Sequence, residues 1–280
     1  MIENTVIVTP VTFCPFPPGH AARRTAAQGE RHTIDAMSVP RPDSAPSVRP
    51  APDDPSDLRV EVLTAVFQVR AVADHDDPVL CVLLRGPGDR APWTLPGGDV
   101  GATETLSASA RRLLDEQLDV RSVTHIEQLS VFSDPTRVPG ARTIASTYLA
   151  LIPTEASPHL PDTARWHPVD DLPELAFDHH TIVEAARHRL AAKLSYTNIA
   201  FALAPARFPM SELSEIYCAA LGYPVDTTNL LRILSRRAVI VSTGTVGKTG
   251  RTGGRPPALY RFADTELRVT DEFATLRPPL

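Results

Sequence analysis

Apolar residues crowd the stretch from Val60 to Val69. Leu63, Ala65, Phe67 and Val69 fall on one face at a period of two, and Val60, Val62 and Val66 make the other face largely apolar too. That pattern predicts a strand covered on both sides, as in a sheet lying between helices. A second apolar strand is predicted from Pro78 to Arg85, followed by the turn Gly86-Pro-Gly-Asp-Arg. Leu106, Ala110, Leu113, Leu114 and Leu118 then repeat at helical spacing. Strands are expected at 124–132, 142–152 and 164–168, with a polar loop at 153–161.

From Phe177 the pattern turns helical. Ile182, Ala186, Leu190 and Leu194 recur every four residues. Ser211 is placed to cap a helix running to Ala220 and closed by Gly222, and Asp226 to cap a second helix through Arg237. A β-branched strand (238–243), a Gly-rich basic loop (244–257) and another strand (258–262) follow. Helix, turn, helix, strand, basic loop, strand is the order of a winged helix-turn-helix.

Composition adds limits. The chain has 280 residues with a net charge of −5, but from Thr227 to Ala263 there are seven bases and no acid. The rest of the chain therefore carries −12. An acidic body with a basic lobe points to an anionic partner for that lobe alone. Arg232, Arg236, Arg237, Lys248, Arg251, Arg255 and Arg261 supply the charge. Three scattered cysteines exclude a disulfide framework and a cysteine-rich zinc module, and fit a reducing cytoplasm. No apolar run reaches the ~20 residues a membrane span needs. Residues 1–57 hold ten of the 28 prolines, and 37–57 carry hardly a large apolar group. That extension is expected to be disordered. The nine histidines form no metal signature; His179 and His180 are expected to cap or pack at a helix start.

The candidate chemistry lies in two places. Leu95-Pro96-Gly97-Gly98 leads, through Glu104, to Arg112 and the run Leu113-Leu114-Asp115-Glu116-Gln117-Leu118-Asp119-Val120. The spacing resembles the Nudix box, G-x5-E-x7-R-E-U-x-E-E-x-G-U. A working box sets three carboxylates on one helix face to hold Mg²⁺ against a pyrophosphate. Here those positions are Leu113, Glu116 and Gln117, so two of the three are missing, and Asp119 stands where glycine is usual. Catalytic residues and a metal site are therefore not expected. Glu104 and Arg112 match the pair that ties loop to helix in that family. A Nudix fold without catalysis still offers a nucleotide pocket, with Gly98, Glu104, Arg112 and Glu116 at the box. Arg85 is a candidate for phosphate charge and Trp93 for a stacking face.

The second place is the basic lobe. Asn229, Arg232 and Arg236 share one helix face with Thr228 beside them, and that face suits a major groove. Lys248, Arg251 and Arg255 sit on the tip of the wing, where phosphate contacts are made. Gly247-Lys248-Thr249 ends like a phosphate-binding loop, but Ser242 stands where that motif needs its first glycine.

With the stretches 175–179, 196–201, 210–222 and 253–262, these parts resemble the Nudix-related transcriptional regulator family (NrtR). The resemblance implies an α+β architecture, a Nudix-like α/β/α sandwich with a mixed sheet followed by a winged helix-turn-helix. The expected boundaries are 58–174 for the ligand-binding domain, 175–265 for the linker helix and DNA-binding domain, and 266–280 for a tail. It also implies a dimeric, cytoplasmic, nucleoid-associated repressor of genes for NAD biosynthesis or salvage, on a palindromic duplex operator. ADP-ribose or a related nucleotide would be its effector, and no cofactor is required. The alternative is an active hydrolase of ADP-ribose or a dinucleotide with an appended nucleic-acid-binding domain. A generic nucleotide sensor whose winged domain binds protein is a third reading, disfavoured by the absence of acids across 227–263. The family's basic run after asparagine matches Arg232 but not Leu231 or Ile233.

Overall fold

The computed structural model describes residues 58–86, 92–118, 122–247 and 256–272. The proline-rich extension and the wing tip lie outside them. The first half builds one mixed sheet from β1 (Arg59–Arg70), β2 (Val79–Arg85), β3 (Gly97–Asp99), β4 (His125–Phe132), β5 (Thr143–Leu151) and β6 (Ala164–Pro168). The strand order is β4-β5-β1-β2-β6, with β3 added on β1. β1 and β5 run parallel, Val62 opposite Ser146, while β1 pairs antiparallel with β2, Phe67 opposite Val82. The remainder comprises α2 (His179–Tyr196), a 3₁₀ turn (Ile199–Ala202), β7 (Phe208–Pro209), α3 (Met210–Leu221), α4 (Thr227–Arg236), β8 (Ile240–Val246) and β9 (Ala258–Phe262). β7, β9 and β8 make a small second sheet.

The two-sided apolar pattern of β1 is used on both sides. On one face α1 (Leu106–Leu118) packs Ala110 and Leu113 against Val62 and Tyr148, with Leu114 in a neighbouring cluster around Val66 and Leu83. On the other face Leu63, Ala65, Phe67 and Val69 join one continuous core with Ile182, Ala186 and Leu190 of α2 and Leu213 and Ile216 of α3. That same core runs on to Leu230, Leu234 and Phe262. The boundary expected near residue 174 is thus bridged by packing, and the helices after it complete the sandwich. Residues expected to be tail also fold back: Thr197 bridges Val269, and the buried Asn198 amide donates to the Glu266 carbonyl at 2.8 Å and accepts from the Arg268 N–H at 2.7 Å.

Two local expectations differ. Ser211 lies inside α3, whose N-cap is Pro209, with no capping side chain. Proline suits that place because the first N–H groups of a helix have no intrahelical partner. Gly222 closes the helix at φ 76° as expected. The strand expected at 238–243 starts later and ends later, at 240–246. Ala238 takes a left-handed turn at φ 51°, and an irregularity between Ser242 and Val246 carries the strand through Gly244.

The start of α2 is bolted to the first half by two buried polar contacts. Arg137, whose side chain is 1% exposed, reaches Asp178 at 2.7 Å and Glu61 of β1 at 2.6 Å. Removing one partner of a buried pair of this kind costs about 3–5 kcal/mol, because a charge is left desolvated. Next to it, Phe177 holds φ at 51° and is itself exposed. His179 is buried, and its Nδ1 accepts the Leu95 N–H at 2.9 Å. Burial disfavours the imidazolium and pulls the His179 pKa down to about 4.

The unfolded chain protonates this group near pH ~6.5, so folded stability is full above that pH and falls as pH drops toward 4. Urea titrations of the wild type should show about 2 kcal/mol lost to this group between pH 7 and 5. His179→Asn, whose carbonyl can accept the same N–H, should lack that component; an identical pH slope in both proteins contradicts the assignment.

Candidate functional site

The Nudix-like loop is built on two close approaches. β3 lies against β1 with Gly97 opposite Leu63. A Cβ at Gly97 would sit 2.1 Å from the Val62 carbonyl oxygen, so only glycine fits. A Cβ at Gly98 would come within 3.2 Å of Leu113 on α1, which keeps the helix tight on the loop. Glu104 is then held by a two-pronged ion pair from Arg112 at 2.8 and 2.9 Å and by the Ser109 hydroxyl at 2.6 Å. These hydrogen bonds, from Arg112 first and Ser109 next, hold the Glu104 carboxyl down to about 2. The loop-to-helix pairing expected from the sequence is present.

The three positions where the box places carboxylates have other occupations. Leu113 is buried beside Val62, Ala110 and Tyr148. Glu116 is exposed and accepts from Arg112 at 3.1 Å. Gln117 grips the backbone of Gly97 with both ends of its amide: it accepts the Gly97 N–H at 3.1 Å and donates to the Gly97 carbonyl at 2.8 Å. A carboxylate at 117 could not make that second bond and would face the carbonyl oxygen directly. A hard divalent cation wants several oxygen ligands, mostly anionic. Here it would meet one carboxylate already shared with an arginine. Among the described residues no group of three His, Cys, Asp or Glu side chains could hold a metal ion.

Arg85 and Trp93 are not brought together as one ligand-facing pair. Arg85 ends β2 opposite Ala164, and strand alternation sends it to the α1 face with Leu83. Its Nε is buried and has no hydrogen-bond partner among the described residues. Trp93 is 6% exposed and belongs to the core on the other face. Its ring closes over Gly86 and packs edge-on against His167, centroids 4.6 Å apart. It therefore presents no open stacking face, because so large an aromatic ring gains most by leaving water.

The basic lobe offers a different surface. Asp226 caps α4, its carboxylate accepting the Asn229 N–H at 2.6 Å, and Leu230 and Leu234 anchor the helix inward. Such a cap adds about 1 kcal/mol to the helix it opens. Thr228, Asn229, Arg232 and Arg236 are all exposed. Arg232 donates to the Asn229 side chain at 2.6 Å, so the two polar heads lie together on the outer face. No carboxylate pairs with Arg232 or Arg236 among the described residues. Arg237 is otherwise engaged, held by Asp271 and by the Ser195 carbonyl, and leaves this face. β8 and β9 carry the wing, which the Gly247 N–H closes on the Pro257 carbonyl at 2.8 Å. Lys248, Arg251 and Arg255 lie outside the described residues.

Sequence reasoning missed Arg137, the double grip of Gln117 and the role of His179 as an acceptor. Only His179 had a signal, as a packing histidine at a helix start. A buried arginine inside a polar loop has none.

Residues 64–186 match the NUDIX domain model, and residues 200–262 match the model for the NrtR DNA-binding winged helix domain. The ADPR responsive transcriptional repressor NtrR of Acinetobacter baylyi is 30% identical over 218 residues, covering 74% of this chain and 84% of that protein. The crystal structure of Shewanella oneidensis NrtR complexed with a 27mer DNA is 27% identical, with a TM-score of 0.59, covering 72% of this chain and 93% of that one. A MutT/nudix family protein from Enterococcus faecalis shares the fold at 23% identity and a TM-score of 0.56, covering 75% of this chain and 89% of that one. With both halves matched in order and the loop-to-helix pair and capped α4 in place, the chain belongs to the Nudix-related transcriptional regulator (NrtR) family.

Proposed function

We infer that this protein is a transcriptional repressor that reads duplex DNA with α4 and the wing and senses a nucleotide with its Nudix-like half. One observation carries the reading: Asn229, Arg232 and Arg236 stand exposed on one face of a capped helix, with no acid among residues 227–263. The relative from Acinetobacter baylyi responds to ADP-ribose, which makes ADP-ribose or a related nucleotide the effector class to test here. Genes of NAD biosynthesis or salvage are the corresponding targets. A homodimer on a palindromic operator suits a small reading head, since a single winged module makes few contacts. A cytoplasmic place on the nucleoid goes with that role. Gly98, Glu104, Arg112 and Glu116 are assigned to shaping the nucleotide site, and Arg85 to meeting an anionic group from the α1 face. Trp93 is assigned to the core.

The Nudix-like half is read as a binding module without catalysis. Leu113 is committed to the core and Gln117 to the loop backbone, so neither place is open to a metal-binding carboxylate. Incubation of the purified protein with ADP-ribose and Mg²⁺ should give no release of AMP above a protein-free control. Robust hydrolysis that disappears in Glu116→Gln contradicts this reading.

DNA binding is tested by titration on operator and scrambled duplexes at several salt concentrations. Each phosphate contact adds about −0.9 to the slope of log K against log salt. Arg251→Ala should flatten that slope and weaken both duplexes alike. Arg232→Ala should cost about 1–3 kcal/mol mainly on the operator, as loss of a base contact does. If neither substitution changes affinity for either duplex, the basic lobe is a solvated surface and the repressor reading fails.

A further inference from the structure

Asn229 and Arg232 stand three positions apart on α4, so their side chains meet on the face opposite the buried Leu230 and Leu234. Arg232 donates from Nη2 to the Asn229 Oδ1 at 2.6 Å. A guanidinium carries only donors, so the amide is turned with its oxygen to Arg232 and its NH₂ group left over. Both residues are exposed. Such a pair is weak in water and strengthens where a groove excludes water.

What the pair can read follows from its donors and acceptors. In the major groove guanine shows two acceptors, N7 and O6, whereas adenine shows the N7 acceptor beside the N6 amino donor. A lone asparagine reads adenine because its oxygen accepts from N6 while its NH₂ group donates to N7. Here that oxygen carries an arginine, and the positive charge beside it opposes the approach of a second donor. The exposed residues around the pair bring no carboxylate: Thr228 and Ser235 add hydroxyls and Arg236 a cation. Asp226, the acid just before the helix, is turned back on the Asn229 backbone N–H at 2.6 Å. The face is therefore rich in donors, and its one amide oxygen is occupied.

We propose that Asn229 and Arg232 act as one reading unit for guanine: Arg232 spans N7 and O6 of one guanine, and Asn229, held by Arg232, gives its NH₂ group to the acceptors of an adjoining guanine where an unpaired asparagine would select adenine. The inference rests on the DNA-binding reading above and deepens it, because it fixes which base the helix selects. Arg232 then determines specificity at two base positions. It touches one directly and sets the other through Asn229.

The test is selection of bound duplexes from a random library by the full chain, at low salt so that weakened variants still bind. The selected site and its single-base variants are then titrated. The wild type should select guanine at two adjoining positions, and adenine at either should weaken binding about fivefold or more. The position that Asn229 faces is the one whose preference Asn229→Ala loses. Arg232→Ala frees the Asn229 oxygen, so selection with that variant should return adenine at this position. In a double-mutant cycle on the wild-type site, the two substitutions together should cost little more than Arg232→Ala alone, because Asn229 is aimed by its partner. Adenine selected there by the wild type overturns the proposal. So does an unchanged preference there in Arg232→Ala, or strict additivity in the cycle. Failure to enrich any duplex overturns the DNA-binding reading and the proposal with it, whereas enrichment with the wrong base overturns the proposal alone.

Discussion

A strand that is apolar on both faces must be covered on both faces, and β1 imposes that requirement on the whole chain. Its first face is met by α1, the helix that carries the Nudix-like box. Its second face is met by α2 and α3, which belong by sequence to the linker and the winged half. The sheet therefore has no complete core without the helices that position α4. Coupling between the Nudix-like half and the winged half can pass through that shared packed core, and interiors this dense do not deform continuously. Arg137, Asp178 and the His179–Leu95 bond fix the point where the two halves meet.

The box itself has been rebuilt around its backbone. Its glycines and the Glu104–Arg112 pair still hold the loop against α1, while two of the metal positions have become a core leucine and an amide that clasps Gly97. Of the three positions where the box places carboxylates, only Glu116 is acidic. The same economy appears in the basic lobe. Arg237 is spent on tying α4 to the C-terminal segment, while Arg232 and Arg236 meet no carboxylate among the described residues.

Much of this was legible in the residues. Period-two and helical-period patterns located β1, α1, α2 and the buried side of α2, because burial is what those periods record, whereas the short strand β3 at Gly97–Asp99 reads as the opening of a loop. Asp226 and Gly222 marked helix ends because only certain residues satisfy end groups or accept a left-handed turn. Contacts made by long side chains across the sequence were not legible. Arg137 lies in a polar loop, and its burial depends on two acids 76 and 41 residues away. Trp93 reads equally well as a stacking platform or a core plug until its neighbours are known. Ser211 has the chemistry of a cap, but the turn at Pro209 starts the helix before it.

The central claim is that nucleotide and DNA are sensed by one body. It is tested most directly by measuring operator affinity with and without saturating ADP-ribose, together with ADP-ribose affinity with and without operator. Linkage requires the two factors to be equal, and coupling of this kind typically spans about 5–150-fold. The expected result is a change of that order in both directions of the cycle, with matching factors. ADP-ribose that binds the protein yet leaves operator affinity unchanged would contradict the account.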